Sequence, residues 1–291
     1  MCMIDIIIPV YNAQETLPFT LMSIYLQQVS VPYQVTLVDD CSSGDYQSII
    51  KFFQDKMKIQ YLRLDVNSGP GVAREYGIQH TGGDFITFID SDDLFYDTDS
   101  LDELYLSLTE DYDVVSGGEY EEDRKLFIIN EGNLHGKLYR RQYLIDHDIH
   151  FNTTRVHEDN FFNSLVLLTG ARNYNLDRLT YLYCLNPNSI TQNQKEKEFE
   201  RIQILLSNIH DLLEMVPLTY ENTERIAHFI YIKYRYFNRI YPTLSEDEQN
   251  QLEDWILEYD PDHISFLGMT DMKKLQKEVY KSYGKIVLFE D

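Results

Sequence analysis

Three carboxylates follow a strongly apolar stretch in the first third of the chain. Asp90-Ser91-Asp92-Asp93 comes directly after Phe85-Ile86-Thr87-Phe88-Ile89, and a run that is apolar on both faces predicts a strand buried in a parallel sheet. Open α/β sheets bind ligands at the carboxyl ends of such strands. Crowded carboxylates repel one another unless a cation offsets the repulsion, and their hard oxygens suit Mg2+ or Mn2+. The motif predicts a cation site; the open alternative is an acidic turn, with Asp99 capping a helix over 101–108.

A second acidic pair, Glu158-Asp159, opens a predicted helix over 157–168. The helix dipole favours an ionised carboxylate in the first turn of a helix. An ionised carboxylate that can take up a proton is what general-base catalysis requires. A simple acidic helix start, without catalytic role, is the alternative.

Polar residues also follow the first two predicted strands, at Pro9-Val10-Tyr11-Asn12 and Val38-Asp39-Asp40. Because carboxyl ends of parallel strands meet at one edge of a sheet, these residues should lie near Asp90. Asp39 and Asp40 could accept hydrogen bonds from a base or a ribose. Alternatively, one of them caps the following helix.

The turn Asn67-Ser68-Gly69-Pro70-Gly71 precedes a predicted helix that carries Arg74. Its glycines allow a ligand to approach the backbone closely, and the guanidinium group of Arg74 can bind a phosphate or a carboxylate through two parallel hydrogen bonds. The sequence contains neither a P-loop nor a G-x-G-x-x-G after the first strand, which disfavours a dinucleotide-binding function.

The composition narrows the class of partner. The 291 residues carry a formal net charge of −23, which would repel a nucleic-acid backbone, so we expect no nucleic-acid partner. An acidic protein binds an anionic ligand through a metal, local arginines or backbone amides. Three scattered cysteines favour a reducing compartment. Without a basic leader or an apolar run of roughly 20 residues, we expect no transmembrane segment and a cytoplasmic protein, at most peripheral at the inner face of a membrane.

Short apolar runs alternate with amphipathic stretches through the first half of the chain, which predicts a mostly parallel sheet flanked by helices. After Asn186-Pro187-Asn188-Ser189 the pattern is only helical, with apolar residues at intervals of three or four. We therefore predict an α/β domain over 1–190 and a small all-helical region over 191–291. The helical region could bind the acceptor, contact a membrane surface or assemble the chain into a homo-oligomer.

Five motifs together resemble the family-two inverting glycosyltransferases with the GT-A fold, over roughly residues 4–190. They are Ile7-Ile8-Pro9-Val10-Tyr11-Asn12, Val38-Asp39-Asp40-Cys41-Ser42, Asn67 with Gly69 and Arg74, Asp90-Ser91-Asp92-Asp93, and Glu158-Asp159-x-x-Phe162. The resemblance implies a metal-dependent transferase that uses Mn2+ or Mg2+. It also implies a nucleotide-sugar donor, by default a uridine diphosphate (UDP) sugar, and a glycan or lipid-linked glycan acceptor, such as a cell-surface polysaccharide or teichoic acid.

The resemblance also implies a role for each matching residue. Asp159 would be the catalytic base, with Glu158 beside it on the acceptor side. Asp92 would hold the metal together with Asp90. The expected donor-binding residues are Pro9, Val10, Tyr11, Asp39, Asp40, Asn67, Gly69, Arg74, Asp90, Ser91, Asp92 and, in a late loop, Ser189.

Two other functions remain open at this point. A sugar-nucleotide pyrophosphorylase has a similar sheet, but its basic, glycine-rich signature is missing after the first strand, where the chain reads Tyr11-Asn12-Ala13-Gln14-Glu15. A non-catalytic sugar-nucleotide-binding subunit would need neither Asp92 nor Asp159, so the presence of both favours an enzyme.

Overall fold

The computed structural model describes residues 2–121, 126–128, 134–185, 198–216, 219 and 222–259. The chain divides into two compact units: unit 1 comprises residues 1–163 and 171–189, and unit 2 comprises residues 164–170 and 190–291. The strands are β1 Ile4–Val10, β2 Tyr33–Asp39, β3 Ile59–Arg63, β4 Phe85–Phe88, β5 Leu94–Phe95, β6 Val114–Glu121, β7 Leu126–Ile128, β8 Lys137–Arg140 and β9 Asn173–Tyr183. The helices are α1 Leu17–Tyr25, α2 Gln47–Phe53, α3 Pro70–Gln79, α4 Ser100–Ser107, α5 Arg141–Asp146, α6 Glu158–Thr169, α7 Glu198–Met215, α8 Thr223–Ile240 and α9 Glu246–Tyr259.

The strands of unit 1 form one sheet in the order β3-β2-β1-β4-β8-β6-β9-β5, with β7 paired to β6. The strands β1 to β4 are parallel; Val10 pairs with Asp39 across β1 and β2, and Ile7 pairs with Phe88 across β1 and β4. The loops that follow β1, β2 and β4 therefore lie at one edge of the sheet. This confirms the predicted α/β fold and the predicted edge.

The second half of the sheet is more mixed than the alternation of elements indicates. Strand β8 is antiparallel to both β4 and β6, whereas β9 is parallel to β6 and antiparallel to β5. The sequence analysis did not identify β8 or α5. Their physical signal is weak, because β8 has four residues and α5 has six, too few to establish a period.

Both faces of the sheet are covered. On one face, alternate residues of β1 pack with helix α1 and helix α4 in a core that includes Ile4, Ile6, Ile8, Val10, Leu17, Leu21, Leu101 and Leu104. On the other face, α3 lies directly against β1, because a Cβ at Gly77 would lie 2.6 Å from Cγ2 of Ile7. This close approach fixes the helix that carries Arg74.

Unit 2 is helical in its described part. Apolar residues that lie three or four positions apart form the buried face of α7, as predicted: Ile202, Leu205, Leu206, Ile209, Leu212 and Leu213. A capping box starts α9, since Ser245 N–H and Oγ donate to Glu248 Oε2 at 2.8 and 2.7 Å. In the described part of the chain, no helix is both long enough and apolar enough to cross a membrane.

Two expectations about the second half stay predictions. The last part of the predicted all-helical region, residues 260–291, lies outside the described residues. The division at residue 190 and the role of residues 191–291 as a separate region for the acceptor, a membrane surface or assembly are likewise predictions.

Candidate active site

The acidic motif Asp90-Ser91-Asp92-Asp93 forms the turn between β4 and β5. The turn is closed by the Asp93 N–H, which donates to the Asp90 carbonyl oxygen at 3.2 Å. Asp93 is buried, whereas Asp90, Ser91 and Asp92 are half-buried. Asp99 stands at the N-cap position of α4, as the alternative of an acidic helix start expects, but it makes no side-chain capping hydrogen bond. The motif is therefore a turn at the edge of the sheet where ligands are expected.

Arg74 joins the two acidic motifs. Its guanidinium donates from Nη2 to Asp90 Oδ1 at 2.6 Å and from Nη1 to Glu158 Oε1 at 3.0 Å, and its side chain is 4% exposed. The sequence analysis expected Arg74 near the nucleotide, facing a phosphate or a carboxylate. In the structure it binds two carboxylates from motifs that lie 68 residues apart in the chain (158 − 90).

Arg74 and Asp90 keep each other charged. Burial lowers the pKa of Arg74, but the charges of Asp90 and Glu158 raise it more, so the guanidinium stays protonated. Burial raises the pKa of Asp90, but the charges of Arg74 and His135 bring it well below its usual range, so Asp90 is ionised. Asp90 therefore presents a fixed negative charge at the edge of the sheet.

Glu158 and Asp159 occupy the first turn of α6, as the sequence predicts. Burial and the neighbouring charge of Asp159 raise the pKa of Glu158 to about 7, despite the opposing charge of Arg74. Asp159 is half-buried, and its Oδ1 accepts the N–H of Asn160 at 2.7 Å. Asp159 is thus the member of the pair that solvent and a substrate can reach.

Small and aromatic residues place these carboxylates. A Cβ at Gly71 would lie 2.7 Å from Glu158 Cγ, so only glycine lets the start of α3 approach Glu158 this closely. Phe162, one turn after Glu158, packs edge-on against Phe88 at 5.7 Å and stacks on Phe151 at 4.3 Å. The E-D-x-x-F motif therefore anchors α6 to β4, the strand that leads to Asp90.

The turn 67–69 is held by Asp40 and Arg155. The N–H groups of Ser68 and Gly69 donate to Asp40 at 2.6 and 2.8 Å. Arg155 donates from Nη1 to Asn67 Oδ1 and from Nη2 to the Asn67 carbonyl, both at 2.7 Å. Gly69 adopts a φ of 95°, which favours glycine. The expected donor loop is thus tied to β2 and to the segment before Glu158.

The expected nucleobase residues differ in exposure. Pro9 and Val10 are buried in β1, whereas Tyr11 is 51% exposed and presents its ring at the end of the strand. Asp39 is buried; it accepts hydrogen bonds from Tyr61 at 2.6 Å and from Arg63. Helix α2 has no side-chain cap, so the alternative that Asp39 or Asp40 caps it is wrong.

Beside the acidic turn lie two aromatic residues that the sequence analysis did not identify. His135 Nε2 lies 3.1 Å from Asp90 Oδ2, and its ring stacks on Tyr181 with centroids 4.8 Å apart. Tyr181 in turn donates to Asp93 Oδ2 at 2.6 Å. Burial lowers the pKa of His135, but Asp90 and other acids raise it, to a net value of about 9.

Burial and the charge of Asp90 raise the pKa of Asp93 to about 8. The ligand atoms of Asp90, Asp93 and His135 all lie within 4.8 Å of one another. Two carboxylates and one imidazole are a suitable donor set for a divalent transition metal. The site therefore has residues that could hold such an ion.

The structure brings Arg74, Asp90 and Glu158 into contact and places Asp40 against the 67–69 turn. Asp92 and Ser91 lie on the same turn as Asp90, and the metal and donor roles of all these residues stay predictions. Ser189 lies outside the described residues. The sequence analysis missed His135, Tyr181 and Arg155, because no local spacing links them to their partners.

The family follows from a comparison with known proteins. Residues 5–163 match the family described as glycosyl transferase family 2, which is more than half of the chain. The chain belongs to glycosyl transferase family 2.

Two relatives illustrate how far the likeness of this family 2 chain extends. An uncharacterized glycosyltransferase of Rickettsia bellii is 35% identical over 143 residues, which are 47% of this chain and 20% of the relative. Poly(ribitol-phosphate) beta-N-acetylglucosaminyltransferase TarS of Staphylococcus aureus is 26% identical over 199 residues, which are 62% of this chain and 35% of TarS. The chain thus spans about a third or less of the length of these relatives.

Solved structures of relatives have the same fold. Residues 1–349 of S. aureus TarS, in complex with UDP-GlcNAc, superpose with a TM-score of 0.74 at 21% identity, over 97% of this chain and 89% of that chain. The mannosyltransferase PcManGT of Pyrobaculum calidifontis, in complex with GDP-Man and Mn2+, gives a TM-score of 0.58 at 16% identity, over 96% and 86% of the two chains. The likeness establishes the GT-A fold of this family 2 chain.

Proposed function

We propose that this chain is a metal-dependent, inverting glycosyltransferase. It transfers a sugar from a nucleoside-diphosphate donor, by default a UDP-sugar, to a hydroxyl of a glycan such as a cell-surface polysaccharide or teichoic acid. The observation that carries the proposal is the buried bridge from Asp90 through Arg74 to Glu158, with Arg74 distances of 2.6 and 3.0 Å. It couples the turn expected to bind the donor to the helix start expected to bind the acceptor.

The reaction is a single in-line displacement. The acceptor hydroxyl attacks the anomeric carbon as its proton passes to Asp159, the nucleoside diphosphate leaves from the opposite face, and the configuration inverts. Asp159 fits the role of base better than Glu158. Glu158 is 7% exposed and bound to Arg74, whereas Asp159 is half-buried at the start of α6.

On the donor side, the exposed ring of Tyr11 can stack on the base, and the turn 67–69 presents a backbone held by Asp40. Arg74 keeps Asp90 ionised and oriented. A divalent ion held by Asp92 and Asp90 would supply positive charge to the departing diphosphate. The residues at this edge fit such an ion, because Asp90 and Asp93 offer carboxylates and His135 offers a nitrogen beside them.

One relative, TarS, guides the choice of donor and acceptor. The TarS structure contains UDP-GlcNAc, and the TarS name specifies poly(ribitol-phosphate). For this chain we accordingly propose that UDP-N-acetylhexosamines be tested first as donors, and a polyol-phosphate polymer first as acceptor.

Asp159→Asn tests the proposal. The amide cannot accept the hydroxyl proton, so we expect kcat to fall at least about 100-fold, the lower range for general-base catalysis. Donor affinity, measured by calorimetry, should be unchanged. The matched control is Asp148→Asn, at a side chain that is 94% exposed and a backbone φ of 51° that asparagine tolerates.

Two outcomes would contradict the proposal in different ways. Near-normal turnover by Asp159→Asn would remove Asp159 as the base. Failure of every labelled nucleotide sugar to bind the wild-type chain, with or without Mn2+, would exclude the transferase altogether.

A further inference from the structure

The proposed function gives His135 no part in the proton or sugar transfer, and its side chain is directed at the acidic turn. Its Nε2 lies 3.1 Å from Asp90 Oδ2. In the part of the chain that the structure describes, Asp90, Asp93 and His135 form the one group of three such side chains whose ligand atoms all lie within 4.8 Å of one another. Ligand atoms that each lie about 2.0 to 2.6 Å from one divalent ion are separated from one another by distances of this size.

The Nε2 atom of His135 is buried but lacks a well-aligned hydrogen bond. Its contact with Asp90 is therefore an ion pair by distance alone. A buried nitrogen whose hydrogen bond is poorly aligned gains only part of the usual hydrogen-bond energy. A ligand placed between His135 and the two carboxylates would satisfy this nitrogen.

The surrounding structure orients both His135 and Asp93. Tyr181 stacks on the His135 ring at an interplanar angle of 11° and donates its hydroxyl hydrogen to Asp93 Oδ2 at 2.6 Å. The Cys184 N–H donates to Asp93 Oδ1 at 2.8 Å. Hydrogen bonds of this kind to a carboxylate and a fixed ring are how proteins orient metal ligands.

We propose that His135 and Asp93 add a nitrogen and a carboxylate to the ligands Asp90 and Asp92 of the divalent cation at this turn, and that His135 makes the site prefer Mn2+ over Mg2+. Mg2+ prefers oxygen ligands and retains several waters. Imidazole binds transition metals better, and Mn2+ is the softer of these two ions. The ligand is the neutral imidazole, so the ring proton passes to solvent as the ion binds.

The inference rests on the metal dependence in the proposed function, but its test is separate from turnover. Mn2+ and Mg2+ are each titrated alone into the wild-type chain, His135→Gln and His135→Phe, and binding is measured by calorimetry. His135→Phe retains a ring for Tyr181 to stack on and removes only the nitrogen ligand. We expect both variants to bind Mn2+ at least about 10-fold more weakly and Mg2+ with nearly unchanged affinity.

A spectroscopic signature gives a second measurement. With 15N-histidine in the chain, pulsed electron paramagnetic resonance of bound Mn2+ should show coupling to one nitrogen, which is absent in both variants. The matched control is His150→Gln, because His150 lies on the surface and contacts Asp148. It should leave the affinity and the coupling unchanged.

Three results would overturn the inference. Unchanged Mn2+ affinity with retained nitrogen coupling in both His135 variants would show that His135 is not a ligand. The proposed transferase would still stand in that case if Asp159→Asn loses most of its turnover. Equal weakening of Mn2+ and Mg2+ would remove the preference. Absence of binding of either ion to the wild-type chain would reject both this inference and the metal dependence of the proposed function.

Discussion

Arg74 and Arg178 each bind several carboxylates in unit 1, yet their surroundings differ. Arg74 is 4% exposed and binds Asp90 and Glu158. Arg178 is 37% exposed and binds three carboxylates that are themselves partly exposed, those of Asp97, Asp99 and Glu103. Arg178 has more partners, but Arg74 has the stronger electrostatic consequences.

The difference shows that burial, rather than the number of ion pairs, decides what an acidic cluster does. At the buried cluster, burial raises the pKa of Glu158 to about 7. At the exposed cluster, burial raises the pKa of Asp97 only in part, and hydrogen bonds from Ser100 and Arg178 bring it below its usual value. Water screens the exposed charges, which weakens their effect on one another.

The largest expected effect comes from removing Arg74. Arg74→Met leaves Asp90 and Glu158 without the cation that binds both. Breaking a buried ion pair by removing one partner costs roughly 3 to 5 kcal/mol, so the free energy of unfolding in urea should fall by about that amount. A loss below about 1 kcal/mol would mean that water already screens the buried cluster as it screens the exposed one.

The backbone beside the buried cluster should also resist change. In Gly71→Ala, the new methyl group would lie 2.7 Å from Glu158 Cγ and 3.1 Å from the Asn152 carbonyl oxygen. Overpacking of this kind costs roughly 1 to 3 kcal/mol, and displacement of Glu158 should also lower activity. The free energy of unfolding and kcat report the two effects.

Gly82→Ala is the control for that substitution, because a Cβ at Gly82 meets nothing within 4 Å. Its stability should be unchanged or rise by a few tenths of a kcal/mol, since alanine restricts the unfolded chain. Equal effects at the two glycines would show that the approach of α3 to Glu158 is looser than the distances indicate.

The exposed and buried clusters also show what sequence patterns can predict. Hydrophobic runs predicted β1, β2, β4 and the common edge of Asp40 and Asp90, because strand pattern and parallel pairing depend on local sequence and one topological rule. The E-D motif was placed correctly at the start of α6 for the same reason.

Pairings between distant residues could not be predicted. Arg74 and Glu158 are 84 residues apart, and Arg155 and Asn67 are 88 apart. No periodicity links such positions, and a short strand such as β8, which follows His135, carries too little pattern to place it. By composition alone, the acids at 97–103 resemble those at 90–93; burial distinguishes the two clusters.

The free energy of unfolding should change with pH in opposite directions at the buried and the exposed cluster. The pKa of Glu158 rises from 4.5 to about 7 on folding, because burial and Asp159 disfavour its charge. The folded state thus holds this proton more tightly, and stability from this group is lost as pH rises from 4.5 to 7. Glu158→Gln removes the titration, so its unfolding free energy relative to wild type should increase between pH 4.5 and 7.

The comparison with wild type cancels other titrating groups, and the charged groups that face Glu158 are Arg74 from α3 and Asp159 from α6. A constant difference between Glu158→Gln and wild type across this range would show that the folded-state pKa is not raised.

The smallest effect is expected at the exposed cluster. Arg178→Met removes contacts of 2.7 to 3.3 Å to Asp97, Asp99 and Glu103, but exposed ion pairs typically contribute at most about 1 kcal/mol. Arg178→Met should therefore lower the unfolding free energy by that amount or less, and 1 M NaCl should reduce the difference from wild type further.

The pH dependence of the exposed cluster should be opposite to that of Glu158. Because the pKa of Asp97 is lowered on folding, its contribution is present above pH 3.8 and is lost only as pH falls below it. A loss at Arg178 equal to that at Arg74, insensitive to salt, would mean that the number of partners matters more than burial.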